Sequence, residues 1–336
     1  MSSSKIVLTG VKPTGQPHIG NYLGAIRPAL AMAKEPDTRS FFFIADYHSL
    51  INTHDAKVLN EMVYEVAATW LACGLDVKST VFYRQSDVPE VFELNWILSC
   101  FSAKGLMNRA HAYKAKLAEN QEAGKEDLDF GVNMGLFSYP ILMAADILMF
   151  GTHKVPVGED QVQHVEIARD IAQKLNRTYN SEVLVVPESV LQKESKLVPG
   201  LDGRKMSKSY GNTIPLFSDE KVLRKLVMKI KTDSSGPDEP KDPDKSLVFD
   251  LFKEFARPEQ IAELRQSYLS GISWGNAKEA LFQAINSRLK GPRERYNELM
   301  AHPEEIDRLL RVGGDEAREI ASQRLKNVRK LIGLEH

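Results

Sequence analysis

Two short stretches concentrate the residues able to do chemistry. LDGRKMSKSYGN, Leu201 to Asn212, alternates Lys205 and Lys208 with the hydroxyls of Ser207 and Ser209, around Met206 and between Gly203 and Gly211. A mobile loop of this kind can bring two ammonium groups against a triphosphate as charge develops on a leaving pyrophosphate. The same composition also describes a solvated basic linker. The other stretch is GVKPTGQPHIGNYLG, Gly10 to Gly24, which follows the first apolar run of the chain. Gly10 and Gly15 permit backbone angles closed to other residues, Pro13 and Pro17 stiffen the turn, and Gly20 opens the next helix without a side chain. Gln16 and Pro17 stand where a P-loop needs Lys and Ser or Thr, and no G-x-G-x-x-G is present in this turn. Taken alone it also reads as an ordinary strand-to-helix connection.

A third candidate is an acid in greasy surroundings. Within YPILMAADILMF, Tyr139 to Phe150, the residues Tyr139, Met143 and Asp146 share one face of a helix. An unpaired buried carboxylate is costly, so Asp146 is expected to have a partner. Just downstream, Val155 and Val157 point to one side of a strand that runs into Gly158, Glu159, Asp160 and Gln161. That is a helix start, whose amides can meet polar ligand atoms and where Asp160 can serve as cap. His48, in ADYH, follows another strand at the same end of the expected sheet.

The elements that must position these residues are those of a doubly wound α/β domain. Strands are expected at Lys5 to Leu8, Ser40 to Ala45, Thr80 to Tyr83, Lys154 to Val157 and Val183 to Val186. Helix-length stretches at Gly20 to Lys34, Asp55 to Cys73 and Asp160 to Leu175 separate them, which predicts a parallel, Rossmann-like sheet. Residues from about 88 to 129 read as a helical insertion between two strands. After Asn212 strand signals disappear, and helices are expected to start at Ser218, Pro258, Pro292, Pro303 and Gly314-Asp315. The expected division is a catalytic domain over 1–212, with the lysine loop at 201–212, and an α-helical domain over 213–336. Ser234 to Ser246 is turn-rich and polar, hence a surface loop.

Composition sets outer bounds. Lys and Arg number 44 against 45 Asp and Glu in 336 residues, so a globally basic nucleic-acid coat is excluded while a local basic face is not. Cys73 and Cys100 make neither a disulfide framework nor a four-thiolate zinc site, which points to a reducing compartment, by default the cytoplasm. The N-terminus lacks the apolar core of a signal peptide, and the longest apolar run, Ile141 to Phe150, is too short for a bilayer; a soluble protein with no membrane partner is expected.

PHIGN, Pro17 to Asn21, and KMSKS, Lys205 to Ser209, resemble the HIGH and KMSKS motifs of class I aminoacyl-tRNA synthetases. Within that class, KPTGQPHIGNYLG, YPILMAADILMF and VPVGEDQ, Val155 to Gln161, are similar in order and spacing to the bacterial-type tryptophanyl-tRNA synthetases over nearly the whole chain. Asn21 replaces the final histidine of HIGH, as tryptophanyl enzymes commonly have it. Leu8 departs from relatives that carry an aromatic there to stack on the indole.

The resemblance implies a two-step reaction: the tryptophan carboxylate attacks the α-phosphorus of ATP, and the aminoacyl group then passes to a hydroxyl of tRNA(Trp). It implies ATP with Mg2+ as substrate, no protein-ligated metal, and a homodimer to whose interface the insertion contributes. By the same resemblance His18, Asn21, Lys205 and Lys208 stabilise the phosphates, and Gly20 leaves room for adenine. Lys12, Pro13 and Thr14 flank ATP; Met206, Ser207 and Ser209 belong to the loop that covers it. Gly158, Glu159 and Asp160 contact ATP, the ribose for Asp160, and Val198 touches adenine. Asp146 accepts the indole N–H, Tyr139, Met143, Val155 and Val157 wall the ring, Gln161 holds the polar end of the amino acid, and His48 and Lys116 are further site candidates. Lys221, Arg224, Lys225 and Lys229 fall on one helical face, and Arg324, Lys326, Arg329 and Lys330 form a second basic group; both are tRNA candidates or solvated faces. Three other readings stay open: a tyrosyl-tRNA synthetase, a small-molecule nucleotidyltransferase, and a non-catalytic descendant of a synthetase.

Overall fold

In the computed structural model, which describes residues 5–191 and 198–335, five parallel strands are ordered β3-β2-β1-β4-β5. They are β1 (Lys5–Val11), β2 (Thr38–Ile44), β3 (Thr80–Arg84), β4 (Lys154–Val157) and β5 (Glu188–Leu191). The chain winds outward from β1 to β3 and then returns to the other side of β1. The strand order therefore reverses between β1 and β4, and a crevice opens there at their carboxyl ends. In β2, Phe41 and Phe43 join the core on one face of the sheet, Phe42 and Ile44 the core on the other. Burial on both faces is what a parallel sheet requires.

The longer helices are α1 (Ala56–Ala72), α2 (Glu90–Phe101), α3 (His111–Glu122), α4 (Met134–Met149), α5 (Glu159–Tyr179), α6 (Glu220–Met228), α7 (Leu247–Phe255), α8 (Pro258–Ser270), α9 (Trp274–Ala301) and α10 (Pro303–Ile332). Local chemistry sets several starts: Asp55 accepts from the amides of Lys57 and Val58, and Asn133 from that of Leu136. The helix after the opening loop is compound, Ile19–Asn21, one π-helical segment Tyr22–Ile26, then Arg27–Met32.

Four of the expected strands are present, and the fifth is displaced: β5 is Glu188–Leu191, not Val183 to Val186. Leu184 is indeed buried, but its N–H and C=O are bonded by the Asn176 side chain, and the Val183 carbonyl accepts from Arg324. Side chains thus satisfy a backbone that would otherwise need a strand partner. Two helix starts are also corrected. Pro292 lies inside α9, between the buried Leu289 and Tyr296, and Gly314-Asp315 lies inside α10. A Cβ on Gly313 would sit 2.0 Å from the Phe82 carbonyl oxygen and one on Gly314 2.8 Å from Asp87 Cβ, so these glycines let α10 press against β3 and the turn that follows it. Ser218 precedes α6 by one residue more than expected, with Asp219 at the cap position.

Residues beyond 213 do not stand apart from the sheet. Val227, Leu281 and Leu310 share one core with Leu23 and Val66, while Ala317, Leu325 and Val328 join the core on the opposite face. Polar ties reinforce this: Asp307 accepts from Tyr64 and Arg84 at 2.8 and 2.9 Å.

Candidate active site

A cavity of ≈ 530 Å³ occupies the crevice between β1 and β4. Leu8, Gly10 and Lys12 from β1 and its loop, Val155, Val157 and Gly158 from β4, Tyr139, Met143 and Asp146 from α4, and His48 and Gln161 line it. Nine expected site residues thus meet here. Phe43 of β2 is also in the wall, and a Cβ on Gly10 would lie 2.7 Å from its ring. Leu8 and Phe43 therefore share a role: the aliphatic residue forms one wall, and an aromatic one strand away supplies a ring. A second cavity of ≈ 310 Å³ adjoins through Gly10, Lys12 and Gly158 and is bordered by Thr14 and Asn21.

Asp146 has the partners that its burial demands. It is 2% exposed; Gln85 Nε2 donates to both carboxylate oxygens at 2.9 Å, and His48 Nε2 lies 3.0 Å from Oδ2. Burial pushes its pKa up, against the opposing bonds from His48 and Gln85. Gln85 escaped sequence reasoning, although it directly follows β3 at the carboxyl end of the sheet. The short helix carrying His48, Asp46–Ser49, is tied to the same corner, because Asp46 accepts from the Ser86 hydroxyl and amide.

At the start of α5, Gly158 occupies the cap position beside both cavities with no side-chain cap; the Gln161 amide donates to the Gly158 carbonyl at 3.0 Å, which leaves the amides of Glu159 and Asp160 without a helix partner. Two acids, Glu159 and Asp160, sit in that first turn. Their charge opposes phosphate and suits hydroxyl donors. Behind them runs a chain of side chains: Gln161 Nε2 donates to Asp160 Oδ2 at 2.9 Å, Gln161 Oε1 is 2.8 Å from His164 Nδ1, and His164 Nε2 is 2.5 Å from the Tyr139 hydroxyl. His164 is a second residue that the sequence reading missed.

The histidine turn and the lysine loop are adjacent despite their separation in sequence. Ile19 donates its amide to the Ile214 carbonyl and Leu216 to that of Pro17, both at 2.9 Å. Gly20 N–H meets Met206 Sδ at 3.3 Å, and Lys208 Nζ donates to the Thr14 carbonyl at 3.0 Å. His18 Nδ1 accepts from the Asn21 amide while Asn21 Oδ1 accepts from the His18 amide, a reciprocal cap. With Nδ1 accepting, the neutral ring carries its proton on Nε2, the nitrogen left for a ligand. Burial, then the Lys208 charge, lowers the His18 pKa, and burial alone lowers that of Lys12. A Cβ on Gly20 would lie 2.9 Å from the His18 ring and 3.3 Å from Met206 Cβ, so the turn and the lysine loop approach each other there only because this residue is glycine.

The loop itself is held by Asn212, the third residue missed. Asn212 is 3% exposed, accepts from the Ser207 amide, and donates to Asp202 Oδ1 and the Lys205 carbonyl. These bonds, Asn212 first and then Arg204, hold the Asp202 carboxyl down at about 2. Ser207 and Ser209 bond each other at 2.8 Å, and Val198 accepts from the Met206 amide. Lys205 and Lys208 are exposed. Lys116 lines neither cavity; its ammonium pairs with Glu119 at 2.9 Å on α3, one turn beyond Ala112, which does line the larger one.

Comparison with known proteins decides the family. The profile of class I tRNA synthetases (W and Y) matches residues 2–290. The tryptophan–tRNA ligase of Neisseria meningitidis is 55% identical, covering 99% of this chain and 98% of its own, and that of Pseudomonas aeruginosa is 54% identical, covering 98% and 73%. The chain belongs to the bacterial tryptophanyl-tRNA synthetases. A member of known structure, the Campylobacter jejuni synthetase complexed with ADP and tryptophan, superposes with TM-score 0.89 at 43% identity, covering 98% of this chain and 100% of that one. The tyrosyl alternative is not favoured by these relatives.

Among the described residues of this synthetase, no cluster of three or more His, Cys, Asp or Glu is arranged to hold a metal ion, and no helix is long and apolar enough to cross a membrane. The second basic group of its last helix is largely engaged. Arg324 donates to the Val183 carbonyl, Arg329 pairs with Glu93, and Lys326 lies 3.8 Å from Glu335.

Proposed function

We propose that this tryptophan–tRNA ligase seats L-tryptophan in the cavity between β1 and β4 and ATP across the adjoining histidine turn and lysine loop. The observation that carries the reading is the buried Asp146, held by Gln85 and His48 in the wall of a cavity that adjoins the one bordered by Asn21 and by Thr14, the residue whose carbonyl holds Lys208. In the reading, the indole N–H donates to the remaining lone pair of Asp146, and Met143, Val155, Val157, Leu8 and Phe43 enclose the ring. Gln161 and Tyr139 meet the polar end of the amino acid. Asp160 accepts from the ribose hydroxyls, and the uncapped amides from Gly158 onward complete that side.

ATP enters as its magnesium complex. His18, through its Nε2 proton, Asn21, Lys205 and Lys208 stabilise charge as the carboxylate displaces pyrophosphate; alignment and electrostatics carry such a step, and no protein nucleophile is needed. The adenylate then reacts with the tRNA hydroxyl. The test is a side-by-side ATP–pyrophosphate exchange assay with tryptophan, tyrosine and phenylalanine. Exchange with tryptophan alone supports the reading, and comparable exchange with tyrosine defeats it.

The remaining assignments belong to the same proposal. Residues 1–212 are the catalytic domain, and 213–336 meet the anticodon arm, with the exposed Lys221 and Lys225 of α6 and Lys229 at its end available for phosphate contacts. Arg224 contributes less, being paired with Glu279 at 2.9 Å. The protein works in the cytoplasm as a homodimer. Support for a dimer comes from a patch where Trp96 is 71% exposed, and where the half-exposed Tyr47 ring lies 4.1 Å from that of Phe92 one turn from Trp96 on α2. Trp96→Glu is expected to convert a dimer to monomers in light scattering; an unchanged mass removes this patch from the interface.

A further inference from the structure

His164 lies on α5 behind the cavity, is 1% exposed, and bonds through both ring nitrogens. The direction of each bond follows from its neighbours. Gln161 turns its amide nitrogen toward the Asp160 carboxylate at 2.9 Å, since the opposite orientation would set two acceptors face to face. Its carbonyl therefore faces His164 and can only accept, so His164 Nδ1 carries the proton. Nε2 is then the acceptor, and the Tyr139 hydroxyl donates to it. Burial supports these states: it holds His164 down at about 4, and with the Asp160 charge it pushes the Tyr139 phenol up to about 12.

The consequence reaches the cavity. With its proton turned toward His164, Tyr139 Oη offers the pocket lone pairs only. Gln161, clamped between His164 and Asp160, is fixed beside it. We propose that His164 is a positioning residue that makes this end of the pocket a seat for the α-ammonium of the amino acid, by fixing Tyr139 as an acceptor and Gln161 in register. It touches no substrate. The inference rests on the reading above that Gln161 and Tyr139 meet the polar end of tryptophan.

Calorimetric titration of two ligands separates the two claims: L-tryptophan, and indole-3-propionate, which keeps the ring and carboxylate but lacks the ammonium. Wild-type protein is expected to prefer L-tryptophan. His164→Ala is expected to weaken L-tryptophan by about tenfold, the worth of one bond to a charged group, and to leave indole-3-propionate within about twofold. Tyr139→Phe should show the same selective loss, and His164→Gln, which keeps an acceptor in reach of Tyr139, should recover part of it. If alanine prevents folding, the glutamine and phenylalanine variants carry the comparison. Equal weakening of both ligands, or none, overturns the inference while leaving the pocket reading intact. Equal affinity of the wild type for both ligands overturns the pocket reading and the inference with it.

Discussion

On the amino-acid side of the crevice, Asp146 is 2% exposed, held by Gln85 and His48, and framed by strands and helices of the sheet domain. On the nucleotide side, Lys205 and Lys208 are exposed, and their loop hangs from Asn212, Met206 and the single Lys208 bond to Thr14. The first is a preformed sieve; the second is a clamp whose base is tied down by Asn212 and the buried Met206 while its two ammonium groups stay at the surface. Discrimination between similar side chains needs acceptors fixed before the ligand arrives, since a site built for a hydrogen bond penalises an analogue that lacks the donor. Stabilising a departing pyrophosphate needs charge delivered where it develops, which an exposed loop can do after ATP has entered.

The contrast can be broken most directly at Lys208. Lys208→Ala is expected to lower kcat of ATP–pyrophosphate exchange by about 10²- to 10³-fold while calorimetry shows tryptophan affinity unchanged. A parallel loss of tryptophan affinity would mean that clamp and sieve are one unit. The converse change is Asp146→Ala, expected to raise the KM for tryptophan by about 10²-fold, to weaken discrimination against phenylalanine, and to leave the KM for ATP alone. Unchanged tryptophan and phenylalanine parameters would remove Asp146 from the site.

Rigidity of the sieve also has an acid-side cost. His164 is kept neutral, with a pKa lowered from 6.5 to about 4, by burial first, while Asp160 opposes and His111 and His48 add to the lowering. The unfolded chain then takes up this proton at a higher pH than the folded one. Stability attributable to the group is intact above the unfolded value, falls as pH drops through it, and levels off near the folded value. Between about pH 7 and pH 5 the loss is roughly 2 kcal/mol. A melting-temperature series should fall over that range in wild type and be flatter in His164→Gln; identical slopes would contradict the assignment. The smallest effect is expected from Gln85→Leu, about tenfold in the KM for tryptophan with ATP parameters untouched, because His48 still holds the carboxylate.

What could be read from the sequence was what local residues encode. The lysine loop, the histidine turn and the acid in an apolar helix each announce themselves within about a dozen positions, and four of the five strands follow from short apolar runs between turns. What stayed hidden depends on partners distant in sequence. Gln85 gains its meaning only against Asp146 across the crevice, and nothing beside it names that partner. His164 differed from an ordinary helix histidine only by its spacing of three from Gln161. Gly314 and Pro292 carried start or stop signals that tertiary packing overrode, the former because Asp87, in the turn after β3, lies against that face of α10 and the latter because buried neighbours continue α9 through it. The run Val183 to Val186 misled in the opposite sense, since the Asn176 side chain does for Leu184 what a neighbouring strand would do.

The most direct test is a crystal structure with L-tryptophan and a non-hydrolysable ATP analogue bound together. The expected result places the indole nitrogen within hydrogen-bonding distance of Asp146 and the triphosphate between His18 and the two lysines of the loop. Ligands found in separate cavities, or an indole turned away from Asp146, would contradict the account.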